Sequence, residues 1–202
     1  MKKLIAGVVL GVGLTAMAHG AGDPEAGEAN AQVCAGCHGA GGAKPIAPNY
    51  PKLSGLGEEY LHQQLTLIKD GERVIASMTG LLDSRSDQDL QDLAAYFDQQ
   101  DMPLGQANAD LVDQGKSLYR GGNMASGVPA CAGCHSPTGT GIEAAGYPRL
   151  SGQNADYVVK QLTAYRDGER DAGQNASIMM DVASKLTDQE IEAVASYVSG
   201  LN

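Results

Sequence analysis

Apolar residues recur at helical spacing in several segments of the chain. Leu61, Leu65 and Ile68 share one face of a helix predicted over about 58–69, and Val158, Leu162 and Tyr165 repeat that face over 155–166. Ser86 and Thr187 read as N-caps, each with an acid three residues on, Asp89 and Glu190, in the manner of a capping box. Leu90, Leu93, Ala94 and Tyr96 follow the first cap and Ile191, Val194, Ala195 and Tyr197 the second, so two further helices are predicted there. Asp23 and Pro24 read as the cap and first residue of another helix. A last one is expected over about 108–119. The periodicity breaks over about 99–109, the natural linker. The expected class is all-α.

The elements come in pairs because the sequence does. Tyr50-Pro51-Lys52-Leu53-Ser54-Gly55 returns 97 residues later as Tyr147-Pro148-Arg149-Leu150-Ser151-Gly152, and 13 of 24 positions are identical between 50–73 and 147–170. The capped segments near the ends of the halves align at a displacement of 101. Self-similarity on this scale marks an internal duplication. It divides the chain into a first domain over 21–98, a linker over 99–109 and a second domain over 110–202.

Residues 1–20 are of another kind. Lys2 and Lys3 precede an apolar run from Leu4 to Leu14, and small residues follow around Ala16, Ala18 and Gly20. The run falls short of the ~20 residues a membrane span needs, so the segment reads as a cleavable signal peptide, cut after Ala18 or Gly20. Its loss leaves 12 basic against 24 acidic residues, a net charge of −12. Nucleic acid is excluded as a partner, since phosphate binding needs clustered Lys and Arg. The mature chain carries no transmembrane segment, and its sequence leaves peripheral association with a membrane open. Residues 21–105 carry net −8 and 106–202 net −4, so the first half attracts a basic partner more strongly.

All four cysteines fall in two identical pentapeptides, Cys34-Ala35-Gly36-Cys37-His38 and Cys131-Ala132-Gly133-Cys134-His135. Disulfides within each pair would suit a redox motif after a strand, but no strand pattern precedes either one. A zinc site would join knuckles separated by 93 residues and leave both histidines unexplained. C-x-x-C-H is the attachment signature of c-type haem. Two thiols about one helical turn apart form thioethers with one porphyrin, and the adjacent imidazole reaches the iron. Cys34, Cys37, Cys131 and Cys134 are therefore expected to bind two haem c groups, with His38 and His135 as iron ligands.

The opposite axial positions are assigned from the repeat. His62 aligns with Val159 and reads as a surface residue. Met78 aligns with Met179 at the displacement of 101, each shortly before a capped helix, whereas Met180 aligns with Thr79. Met78 and Met179 are therefore the expected partners of His38 and His135. A thioether favours ferrous iron and raises the potential. Met102 in the linker and Met124 before the second motif are expected to be structural.

This arrangement resembles the dihaem class I cytochromes c of the cytochrome c-four type. The resemblance rests on both haem motifs, the Tyr-Pro-Lys/Arg-Leu segment, Met78-Thr79-Gly80, Ile178-Met179 and the longer entry to the second half. It implies two tandem cytochrome c domains about a pseudo-twofold axis, with haem propionate edges facing each other. It also implies periplasmic electron transfer from respiratory-chain donors to a terminal oxidase. With both irons capped by two axial ligands, no substrate site and no enzymatic activity are expected. A haem subunit of a dehydrogenase or oxidase complex and a dihaem peroxidase are the alternatives. For the other ring nitrogens of the axial histidines, carbonyl partners are expected from Pro51 and Pro148, with Pro48 a competitor in the first half. Arg73 and Arg170 are expected to neutralise propionates or else to pair with acids on the surface.

Overall fold

The computed structural model describes residues 22–202. The expected signal peptide and its cleavage sites lie outside the described residues. Helices α1 (Pro24–Asn30), α2 (Gln32–His38), α3 (Glu58–Lys69) and α4 (Asp87–Asp98) build the first half. Helices α5 (Val112–Gly121), α6 (Ala132–His135), α7 (Ala155–Arg166), α8 (Ala176–Ala183) and α9 (Asp188–Ser199) build the second. Among the described residues there is no strand, only two isolated bridges, Asn123 with Val128 and Ile142 with Tyr147. None of the described helices is long and apolar enough to cross a membrane.

The caps form as their residues dictate. The Asp23 carboxylate accepts from the Glu25 and Ala26 amides, ahead of Pro24 at the first turn of α1. Ser86 and Thr187 make reciprocal capping boxes with Asp89 and Glu190. The Ser86 hydroxyl and backbone amide hold the Asp89 carboxyl below the usual range, and the Thr187 amide followed by the Asn123 side chain does the same for Glu190. A carboxylate whose native pKa is depressed stabilises the fold above its unfolded value, and that contribution is lost as pH falls through the lowered one. The Glu190→Gln variant is therefore expected to lose less stability on acidification than the parent chain, read as denaturation midpoint against pH below the ordinary carboxylate range. Equal slopes would show that the carboxylate does not hold this cap.

Two elements depart from the periodic reading. Helix α5 begins at Val112 rather than near 108, because the Asn108 side chain accepts from the Asp110 amide and its carbonyl from Leu111, which turns the chain first. Helix α8, which carries Met179, was not expected. It has no side-chain cap and no counterpart in the first half, where Met78 ends a short 3-10 turn, Ala76–Met78.

In each half the first helix crosses the last, α1 on α4 and α5 on α9. Both crossings are closed at a glycine. A β-carbon on Gly27 would lie 2.0 Å from the Asp92 carbonyl oxygen, and one on Gly115 2.2 Å from that of Ala193. Tyr96 and Tyr197 press on the same two glycines. Two separate cores result, one including Leu61, Leu90, Leu93 and Phe97 and the other Leu118, Tyr119, Ile191 and Val198.

The halves meet through equivalent surfaces. Arg73 donates to Gln64 of its own half and to Tyr157 and Gln161 of the other. Arg170 reverses the pattern, donating to Gln161 of its own half and to Tyr60 and Gln64 across the interface. These six residues correspond in pairs at the displacement of 97, so the contact has pseudo-twofold symmetry. The connecting segment is strapped down on both sides. Met102 packs in the first core, the Pro103 carbonyl accepts from the Lys52 ammonium, and the Gly105 amide donates to Ser199.

Candidate haem centres

Each C-x-x-C-H motif ends in a buried histidine. His38 closes α2 and His135 closes the single turn α6, with 7% and 6% of their surface exposed. The next residue turns sharply in the left-handed region, Gly39 at φ 77° and Ser136 at φ 69°. The chain then returns so that the Pro51 carbonyl lies 2.9 Å from His38 Nδ1 and the Pro148 carbonyl 2.9 Å from His135 Nδ1. Of the two proline candidates in the first half, Pro51 rather than Pro48 takes this place.

A carbonyl can only accept, so both Nδ1 atoms carry the proton and both Nε2 lone pairs are left for a metal. Burial pushes both imidazoles below the ordinary histidine range, partly opposed by the carbonyls. Tyr50 and Tyr147 set a ring 6.0 Å from each histidine ring, which fixes the imidazole planes further.

In the second half these groups open on a largely apolar cleft with about 1470 Å³ of open space, its mouth included. Cys131, Cys134, His135 and Met179 line it among Leu118, Val158 and other aliphatic residues. Met180, next to Met179 on α8, does not line it. In the first half Met78 is half-buried against the core, as are Cys34 and Leu53. Met102 is a core residue as expected. Met124 is not: it is 94% exposed, at the turn between Asn123 and Val128, and packs no core. His62 lies on the surface side, bonded to Asp87 at 2.9 Å.

The two arginines do not pair with surface acids. Their partners are neutral amides and phenols, and neither has a carboxylate within salt-bridge distance among the described residues. Arg170 is 7% exposed, lines the cleft, and its Nε has no partner. A buried cation with an unused donor at the edge of an apolar slot fits a flat, apolar group that carries carboxylates. A haem has that constitution, and its propionates would meet Arg170.

A family model for "Cytochrome c" matches residues 112–202, and one for "Cytochrome C oxidase, cbb3-type, subunit III" matches residues 22–97. Cytochrome c4 of Pseudomonas aeruginosa is 54% identical over 202 residues, the full length of both chains. The chain belongs to the cytochrome c4 family. The crystal structure of reduced recombinant cytochrome c4 from Pseudomonas stutzeri superposes with a TM-score of 0.86 at 48% identity, covering 90% of this chain and 100% of that one. A thiosulfate dehydrogenase electron acceptor of Thiomonas intermedia is 37% identical over 176 residues, 84% of this chain and 78% of the relative.

As a member of that family, the chain is a dihaem electron-transfer cytochrome of two tandem all-α cytochrome c domains. It binds one haem c through Cys34 and Cys37 and a second through Cys131 and Cys134. Several residues that shape these centres escape a motif reading, among them Gly27, Gly115 and the Tyr60, Gln64, Tyr157, Gln161 set. The last four were visible as identities within the repeat, but nothing in the repeat told core from interface.

Proposed function

We propose that this protein is a periplasmic carrier in which His38 and Met78 hold the first haem iron and His135 and Met179 the second. Its domains span 21–98 and 110–202, joined by 99–109, and residues 1–20 direct export. The observation that carries the ligand reading is the shared surround of His135 and Met179, which line one apolar cleft with both cysteines of the second motif. The repeat extends it to His38 and Met78.

Bound haem supplies an iron that passes between ferric and ferrous. The chain's part is positional. Pro51 and Pro148 fix the proton on Nδ1, so each Nε2 keeps one orientation in both oxidation states and little rearrangement accompanies transfer. The aliphatic lining excludes water and favours the less charged, reduced form. Arg73 and Arg170, bracketing the interface, provide positive charge where propionates of both haems would meet.

A visible spectrum of oxidised and reduced holoprotein, with haem counted per chain after pyridine treatment, tests this reading. Two low-spin haems with the full long-wavelength band of Met bound to ferric iron are expected. A high-spin component would move a dihaem peroxidase to the front, because one iron would then be open to peroxide.

The route runs from respiratory-chain donors to a terminal oxidase, and the acidic first half receives the basic partner. The association rate with such a partner is expected to fall with ionic strength, and more steeply for the first haem's reaction than for the second's. Stopped-flow reduction across a salt series measures both slopes. A second reading is favoured by the likeness to a thiosulfate dehydrogenase electron acceptor: the donor is a dehydrogenase on which this chain docks. Rapid reduction by such an enzyme and its substrate, absent with substrate alone, would support it.

A further inference from the structure

We propose that Gln153, a residue of the second domain, tunes the first haem by polarising the peptide group that holds His38. The Pro51 carbonyl and the Lys52 amide are the two ends of one peptide unit. The carbonyl accepts from His38 Nδ1 at 2.9 Å, and the amide donates to Gln153 Oε1 at 2.9 Å. The same Gln153 side chain returns a bond from Nε2 to the Lys52 carbonyl, also at 2.9 Å. A continuous chain therefore runs from the imidazole through the peptide to an amide of the other domain. Gln153 is only 3% exposed, so water does not compete for these bonds.

The arrangement is held in place from both sides. The Lys52 ammonium donates to the Gly152 carbonyl at 2.6 Å, and the Asn154 amide donates to Gln153 Oε1 at 2.9 Å. It is also one-sided. At the displacement of 97 the counterpart of Gln153 is Leu56, which offers no acceptor to the Arg149 amide. Of the two proline carbonyl peptides that hold the axial histidines, the one in the first half is bonded to this side chain of the opposite domain.

The sign of the effect follows from hydrogen-bond cooperativity. Donation from the Lys52 N–H moves electron density onto the Pro51 oxygen, which then accepts more strongly from His38. Stronger acceptance makes the imidazole a more basic ligand and favours ferric iron. Gln153 therefore lowers the potential of the first haem and leaves the second alone. The proposal rests on His38 as the first iron's ligand.

The test uses the haem-loaded full chain with Gln153→Leu and, closer in length, Gln153→Met. Spectroelectrochemical titration resolves the two potentials, and paramagnetic NMR follows the axial histidine ring protons. The first potential is expected to rise, the second to stay, and the His38 ring signals to shift. Asn154→Leu is the control: it removes the bond from Asn154 to the Tyr50 carbonyl across the same interface without touching the Pro51–Lys52 peptide. A first potential that stays or falls in both Gln153 variants overturns the proposal, since water entering a loosened interface lowers potentials. The same rise in Asn154→Leu also overturns it. Axial signals belonging to a histidine other than His38 overturn the ligand reading instead, whereas His38 signals indifferent to Gln153 overturn the proposal alone.

Discussion

Gly115→Ala is expected to destabilise the second domain by about 3 kcal/mol or more, and Gly27→Ala to do the same to the first. The new methyl group at 115 would sit 2.2 Å from the Ala193 carbonyl oxygen and 2.6 Å from Tyr197 Cβ. Neither is the far end of a flexible side chain, so helices α5 and α9 must part. Overpacking usually costs about 1–3 kcal/mol, and a clash with backbone across a helix crossing belongs at or above the top of that range. A domain holds only about 5–15 kcal/mol in total, and this crossing closes the core around Leu118, Ile191 and Val198. Gly121 supplies the contrast. It lies on the same helix, and a β-carbon there meets nothing within 4 Å. Gly121→Ala is expected to be neutral or stabilising by up to about 1 kcal/mol, because alanine loses less chain entropy in a helix. Thermal denaturation of the two variants side by side separates a steric cost from a change in helix propensity. Equal midpoints would falsify the close-crossing account.

The same crossing shows where sequence legibility ends. Capping boxes at Ser86 and Thr187 were readable because cap and acid are three residues apart, within the span of one turn. The partnership of His38 with Pro51 was readable as a candidate because the interval recurs at His135 and Pro148. Gly27 and Gly115 lie 65 and 78 residues from Asp92 and Ala193, the residues whose carbonyls they approach, and no local pattern reports a contact at that separation. Helix α8 was hidden for a different reason: it is uncapped, and packing against α7 rather than local chemistry decides that it forms. Arg73 and Arg170 were legible as repeated cations, which left two kinds of acidic partner open, haem propionates or carboxylates on the surface. Their side chains instead cross the interface to phenols and amides, because each half completes its neighbour's polar contacts and only the assembled pair shows it.

Met179→Ala is expected to remove half of the long-wavelength Met band, to add a high-spin component from one haem and to lower the second potential, with the first unchanged. With Met179 as the proposed ligand, loss of its soft thioether would remove the group that favours ferrous iron. Met180→Ala is the decisive companion. With about 3.6 residues per turn, side chains at 179 and 180 on α8 diverge by about 100°, so one helix face presents only one of them to the cleft. Met179 lines the cleft and Met180 does not, so the Met180 variant should keep both bands and both potentials. Met78→Ala should reproduce the Met179 result for the first haem, though from a short 3-10 turn rather than a helix. That difference in support sets the order of the two losses under stress. A ligand at the end of a single turn is freed by local opening of a few residues, whereas freeing Met179 requires α8 to leave α7. Warming or mild denaturant should therefore bleach the first haem's Met band before the second's in the unaltered protein, and the reverse order would place the weaker ligand support in the second domain.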